Sequence, residues 1–378
     1  MDLTIQQGDL VFAVGRALGS VQQRSPQPIL NCVLLEADSS GLRVTGTDMD
    51  VTTSVLVPCT VRTPGRSAVV ARHFHEVVRK MPKGAVTLAL GGNQCEVRYG
   101  DGKGWSRFPV QAADEFPRVP ELKGGTTLTL EGDALARMVE RTAYATSEEP
   151  ARPQLNGVFV QGTDKQLAFV ATDGHRLARS TRDGAFGELS KDGVIVPGRV
   201  FATVSKFAQE ATSPVEMRVA DGRNHAGFST QVGEYRVQVF ARLIEGPYPN
   251  YEQVIPREND KMMTADKAAL ASALKRMSIV ASDQTHRIRM GLANGSCKLS
   301  VQTPDLGEAQ EELSVGYDGE NLEIGFNAAY LLEIMKYMPT DEVRMTFKGP
   351  ERAATCEPVG WNDPAAYLTL VMPLRLVD

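Results

Sequence analysis

The chain repeats itself on the scale of a whole domain, and no other feature narrows its possible folds as far. The segment that opens Asn31-Cys32-Val33-Leu34-Leu35 and closes Gly41-Leu42-Arg43-Val44-Thr45-Gly46-Thr47-Asp48 returns as Asn156-Gly157-Val158-Phe159-Val160 and Gln166-Leu167-Ala168-Phe169-Val170-Ala171-Thr172-Asp173. Pro28 and Leu42 recur at the same offset, as Pro153 and Leu167. A more degraded third copy runs through Ile288-Arg289-Met290-Gly291-Leu292 and on from Lys298 to Asp305. The flanks repeat as well, in the stretches starting at Val69, Ile195 and Ile324. Solenoid repeats have periods of ~20–50 residues. This period is far longer, so the unit is a complete domain, tripled.

Length agrees, since 378 residues divide naturally into domains of ~100–200 residues. Turn-rich linkers at 117–125 and 245–250 break the apolar periodicity. They place the domains at 1–122, 123–254 and 255–378. A hydrophobic content of 42% is enough for three ordinary cores. No apolar run approaches the ~18–20 residues of a membrane span, and residues 1–7 lack a signal-peptide pattern. The five cysteines, Cys32, Cys59, Cys95, Cys297 and Cys356, form no CxxC and no metal spacing. Scattered, odd-numbered thiols fit a reducing cytoplasm, with no membrane partner expected.

Within the first copy, alternation predicts a strand at 3–6, and Val11, Val14, Leu18 and Val21 fall at helical spacing over 10–21. Strands are expected at 30–35, 42–47 and 52–57. A helix over 71–81 carries the stripe Phe74, Val77, Val78, Met81 and stops at Pro82. Strands at 86–90, 94–99 and 107–110 close the copy. The later copies supply helices over 133–146, 199–211, 267–281 and 328–338. Two helices against antiparallel sheets, three times over, is an α+β architecture.

Opposite its apolar stripe, at ~100° per residue, each of the six expected helices presents basic side chains. They are Arg16; Arg72 and Arg79; Arg137 and Arg141; Arg199 and Lys206; Lys275 and Arg276; and Lys336. Glu76, Glu140 and Glu333 share some of these faces, so the feature is a bias. The net charge is nonetheless −5, whereas proteins that grip DNA strongly are usually basic. Gathering the basic faces on one surface, as the lining of a ring with an acidic exterior, reconciles the two. Such a lining touches phosphates without reading bases and permits sliding.

Catalytic and metal constellations are weak. Asp173 and His175 stand two apart with no nucleophile motif and no Gly-rich phosphate loop. His73 and His75 on one helix point about 160° apart. No catalytic residue, metal site or cofactor is expected.

The strings Ala171-Thr172-Asp173-Gly174-His175-Arg176-Leu177-Ala178 and Val371-Met372-Pro373-Leu374-Arg375-Leu376 are specific as a pair. They occur together with 152–157, 248–256 and Ile324-Gly325-Phe326-Asn327. With these, the whole chain resembles the bacterial DNA polymerase III beta subunit, the sliding clamp. The resemblance implies three DNA-clamp domains per protomer and a head-to-tail homodimeric ring around double-stranded DNA. It also implies an ATP-driven clamp loader, a tethered replicative DNA polymerase, other clamp-motif proteins as partners, and no hydrolysis by the clamp itself. Matching positions place Leu155, Thr172, Gly174, His175, Arg176, Leu177, Pro249, Val254, Asn327, Tyr330, Val371, Met372, Pro373, Leu374, Arg375 and Leu376 around a pocket for short peptides. They place Arg24 against duplex DNA. Arg107 and Phe108, on an edge strand, then face Ile279 and Val280 of a second copy. Glu308, Glu311 and Glu312 lie within reach of Arg107.

This chain departs from the family pattern at Gln253, at Thr285 and in the added Val377-Asp378, which bears on partner preference. A monomeric clamp-like scaffold or DNA-bound regulator that never closes a ring is the competing reading. Native mass separates the two.

Overall fold

The structure, a computed structural model, describes residues 1–22, 25–120, 122, 124–186, 189, 193–362 and 367–376. Arg24, Val377 and Asp378 lie outside the described residues. All six expected helices are present: α1 (Gln7–Leu18), α2 (Ala71–Lys80), α3 (Gly132–Glu140), α4 (Gly198–Ala208), α5 (Lys267–Val280) and α6 (Ala328–Tyr337).

Their ends show what competes with apolar periodicity. α1 starts earlier than expected because Gln7 is held from outside the helix. Its side-chain amide donates to the Val78 carbonyl at 2.9 Å, and its backbone N–H donates to Gly84. α3 stops well short of the expected 146. The Thr142 hydroxyl donates to the Met138 carbonyl at 2.7 Å, the Thr142 N–H reaches back only to Val139, and a 3-10 turn over Ala143–Ala145 follows. A threonine hydroxyl offering the backbone this alternative is a known competitor of the helix. α4 also ends before the expected 211, at Ala208, and Glu210 bonds three residues back to Phe207.

The described residues form two compact units, one of Met1–Ala136 with Arg199–Leu243 and one of Arg137–Gly198 with Ile244–Asp378. The middle repeat contributes to each. In the first unit, one antiparallel sheet of 13 strands runs through the first repeat and the opening and closing strands of the second. The two sets join where Val51–Val57 pairs with Tyr235–Arg242. In the second unit, an eight-stranded sheet is joined in the same way, by Arg176–Asp183 pairing with Tyr367–Val371. Beside it lies a four-stranded sheet on which α5 and α6 pack. Leu270, Leu274, Met277, Leu331 and Ile334 form one core there with Met290, Leu299 and Ile324.

The repeated aspartate is a turn residue. Asp48 Oδ1 accepts from the N–H groups of Asp50 and Val51 at 3.1 and 2.8 Å. Asp173 Oδ1 accepts from His175 and Arg176 at 2.8 and 3.0 Å. Each carboxylate thus fixes the turn that launches the strand joining one repeat to the next. The third counterpart of that strand, Gly307–Ser314, is the edge of the four-stranded sheet. The closing strand of the first repeat, Gly104–Gln111, pairs along one side with Gln94–Tyr99. Along the other side it pairs only through Val110 and Gln111. Among the described residues, Gly104–Pro109 therefore has one open side.

Candidate functional site

The second unit gathers most of the expected pocket around the turn Thr172–Leu177. The Thr172 hydroxyl closes this turn on the Arg176 carbonyl at 2.6 Å. The chain's tail arrives from the neighbouring strand, where Met372 N–H donates to the His175 carbonyl at 2.7 Å. The tail then crosses to the four-stranded sheet, and Leu374 N–H donates to Gly325 at 2.8 Å. Position 325 must be glycine, since a Cβ there would stand 2.4 Å from the Leu374 carbonyl oxygen and 2.9 Å from Leu376 Cδ2. The Arg287 guanidinium holds the Arg375 carbonyl at 3.1 Å.

α6 supplies the opposite wall. Asn327 caps it by accepting from Ala329 and Tyr330, a device that orders the first turn. The Tyr330 ring lies nearly parallel to His175, with centroids 6.3 Å apart. Leu155, Leu177 and Val371 are buried beneath. The linker from Ile244 to Ile255 folds onto the cluster that includes Leu177 and Leu370, with Tyr248 stacked on Phe159 at 4.8 Å. Pro249 and Val254 ride on that linker. Val254 and Met372 stay 53% and 39% exposed. Two large apolar side chains left in water at one site suit capture of an apolar peptide anchor.

Arg176 organises the polar part and is only 7% exposed. Its guanidinium meets Asp173 at 3.1 Å, Glu333, and the Tyr144 carbonyl at 2.7 Å, and it lies over the Tyr330 ring at 4.5 Å. Neither Glu333 nor Tyr144 stands out in the sequence as a pocket residue. Both are distant in the chain, Glu333 reads as an acidic helix-face residue, and Tyr144 falls in the stretch expected to be helical. Burial pushes the Tyr144 phenol well above its usual range. The Asp173 carboxylate is occupied by backbone N–H groups and Arg176, so the structure gives Asp173 and His175 no acid–base geometry. Among the described residues no cluster of three or more His, Cys, Asp or Glu could hold a metal ion. No described helix is long and apolar enough to cross a membrane.

The basic residues divide by environment. Arg72, Arg79, Arg137, Arg199, Lys206, Lys275, Arg276 and Lys336 are exposed. Three of these are tied to carboxylates: Arg72 with Glu76 at 3.2 Å, Arg199 with Asp48 and Asp50 at 2.6 and 2.8 Å, and Arg276 with Glu311 at 2.6 Å, while Lys336 lies over the Tyr337 ring at 4.9 Å. Arg16 is half-buried against Glu210 at 2.5 Å. Arg141 departs from the expected helix face. It lies past the last residue of α3, with its guanidinium over the Trp361 ring at 4.4 Å and over Tyr367 at 5.9 Å.

At the edge residues, Phe108 is 9% exposed and packs edge-on against Phe74 at 5.1 Å inside its own repeat. Glu311 does not share a face with Glu308 and Glu312, because strand alternation turns it toward α5 and Arg276. Glu308 and Glu312 point outward, as does Arg107, which meets Glu96 at 2.7 Å and lies over the Trp105 ring. Ile279 is 77% exposed, while Val280 is half-buried.

Comparison with known proteins matches the chain in three successive pieces. Residues 1–120 match the DNA polymerase III beta subunit N-terminal domain, 129–250 its central domain and 252–375 its C-terminal domain. The beta sliding clamp of Pseudomonas putida is 33% identical over 100% of both chains, and that of Escherichia coli 29% over 100% of both. Among solved structures, the DNA polymerase sliding clamp from Pseudomonas aeruginosa with ligand superposes with a TM-score of 0.92, at 30% identity, covering 100% of each chain. The sliding clamp from Bacillus subtilis gives 0.92 at 25%, again over 100% of each.

Proposed function

The chain belongs to the DNA polymerase III beta subunit family, the beta sliding clamps, and from that membership we propose that two copies close head to tail around duplex DNA and tether the replicative polymerase. Strand pairing between repeats carries the proposal. The first and second repeats join when the strand after the aspartate turn pairs with the last strand of the next repeat. The second and third join identically. A third junction of this kind needs Gly307–Ser314 of one copy and Gly104–Pro109 of another, the counterpart strands with an open side among the described residues. Repeating the register of the existing junctions sets Arg107 opposite Glu308 and Trp105 opposite Gln310. Ile279, exposed on α5, supplies apolar area at that seam. Ion pairs around a modest apolar contact suit an interface that must also be opened.

The remaining roles follow from family membership. An ATP-driven loader opens the ring, the clamp catalyses nothing, and it works in the cytoplasm where the DNA is. The pocket around Thr172–Leu177 and the tail takes short, mostly apolar motifs of the polymerase and other clamp-binding proteins. The exposed basic residues Arg79, Arg137, Lys206, Lys275 and Lys336 touch phosphates. The domain division at 122/123 and 254/255 is kept as the boundary between repeats.

Sedimentation tests the ring. The expected mass is about twice 41.1 kDa, falling to one chain when Ile279→Asp is combined with Arg107→Glu. A strict monomer at micromolar concentration overturns the ring and favours the scaffold reading.

A further inference from the structure

The first unit carries a groove of about 850 Å³ on one face of its large sheet. Its chemistry is unlike that of the rest of this acidic chain. Arg43, Arg66, Arg118, Arg218 and Arg236 line it against two acids, Glu36 and Glu216. In the sheet, Glu36 sits directly between Arg43 on one neighbouring strand and Arg66 on the other. Arg66 is paired with Asp114, and the Arg218 Nε–H donates to the Gly124 carbonyl at 2.8 Å. Arg118 and Arg236 are exposed and form no ion pair with a described residue.

One wall is a strap of the linker between the first two repeats, described at Phe116–Pro120 and at Leu122. Phe116 is buried with Cys32, Leu34 and Ala68. Leu122 lies so close on the sheet that a Cβ at Gly227 would stand 2.4 Å from its Cδ1. Pro117 and Pro120 stiffen the strap. Half-buried Val119, Leu122 and Phe240 give the groove an apolar side. The second linker folds its aromatic residue, Tyr248, onto its own repeat in the same way before reaching Pro249 and Val254. Repeat equivalence therefore marks this groove as a counterpart of the linker side of the peptide pocket, with arginines where that pocket offers apolar side chains.

We propose that this groove docks an extended segment of a partner protein that alternates acidic and apolar residues. The arginine excess supplies charge complementarity for carboxylates, which Arg binds in fork geometry. The strap supplies contact for the apolar residues between them. A nucleic-acid backbone fits less well, since Glu36 and Glu216 interrupt the positive floor and repel a continuous run of phosphates. The proposal goes beyond the clamp reading and does not depend on ring closure.

Fluorescence anisotropy with a short labelled peptide alternating glutamate and leucine tests it on the full chain. Binding is expected to weaken about tenfold or more, equivalent to about 1.4 kcal/mol, in Arg118→Glu with Arg236→Glu, and to a smaller degree in the paired alanine variant. Added salt should weaken it as well. Equal binding of a glutamine–leucine peptide, or wild-type affinity in both arginine variants, overturns the proposal. Displacement of the peptide by oligothymidylate at similar concentration also overturns it, assigning the surface to nucleic acid.

Discussion

Met49 adopts a φ of 80° with its side chain 61% exposed, in the turn between the repeated Asp48 and Val51. The second repeat has Gly174 there, with a φ of 91°. A left-handed backbone costs a non-glycine residue about 1–2 kcal/mol, partly offset by the ~0.5–1 kcal/mol that glycine loses in chain entropy. Met49→Gly should therefore raise stability by about 0.5 kcal/mol, read as a higher urea midpoint. A lower midpoint would mean that the methionine makes a contact worth more than its strain. Arg176 is the opposite case. Resemblance alone places it around the pocket, and beyond the local pair with Asp173 nothing announces its burial, because its partners Glu333 and Tyr144 come from distant segments. Arg176→Ala leaves Asp173 without its counter-charge, and loss of one partner of a buried pair costs about 3–5 kcal/mol. Thermal melting of the variant measures it.

The helices are legible from apolar spacing because each stripe faces a core, and their starts and stops are not. Gln7 and Thr142 set those limits through bonds that periodicity does not encode. Strand edges are half legible. Among the described residues Gly104–Pro109 is open along one side, and alternation turns Phe108 inward against Phe74. Phe108→Ala should accordingly cost about 3–5 kcal/mol of fold stability. Ile279→Asp should dissociate the dimer with the protomer's circular dichroism unchanged; a variant that stays dimeric puts the seam elsewhere. α5 is tied to the strand Gly307–Ser314 by Arg276 and Glu311, and the hydrogen bonds from Arg276 hold the Glu311 carboxyl below its ordinary value of 4.5. Since the folded form binds that proton less readily than the unfolded chain, the pair's contribution is present above 4.5 and fades as pH falls below it. Glu311→Gln should flatten that part of an acid-unfolding profile.

At the scale of the molecule, the tripled domain is plain in the sequence, while the joining of repeats into continuous sheets is not. That joining pairs strands across repeat boundaries, where no local pattern points. The bias toward basic helix faces survives in thinner form. Arg199 and Arg276 are tied to carboxylates, and Arg141 packs on Trp361. Replacing Arg79, Arg137, Lys206, Lys275 and Lys336 by glutamine should shorten retention on circular DNA. It should also flatten the salt dependence, by about 0.9 in log–log slope for each phosphate no longer neutralised. Undiminished retention removes these residues from the DNA surface.

The strand Tyr367–Val371 lies inside the eight-stranded sheet, between Arg176–Asp183 and Ala354–Pro358. Translation therefore delivers the middle repeat with an open edge, which stays open until nearly the whole third repeat has left the ribosome. Such a distant pairing is slow to form and exposes the edge while it waits. The residues that seal it continue directly into the tail that bonds to His175 and Gly325. On the proposed function, a nascent chain cannot present the peptide pocket before this strand is in place.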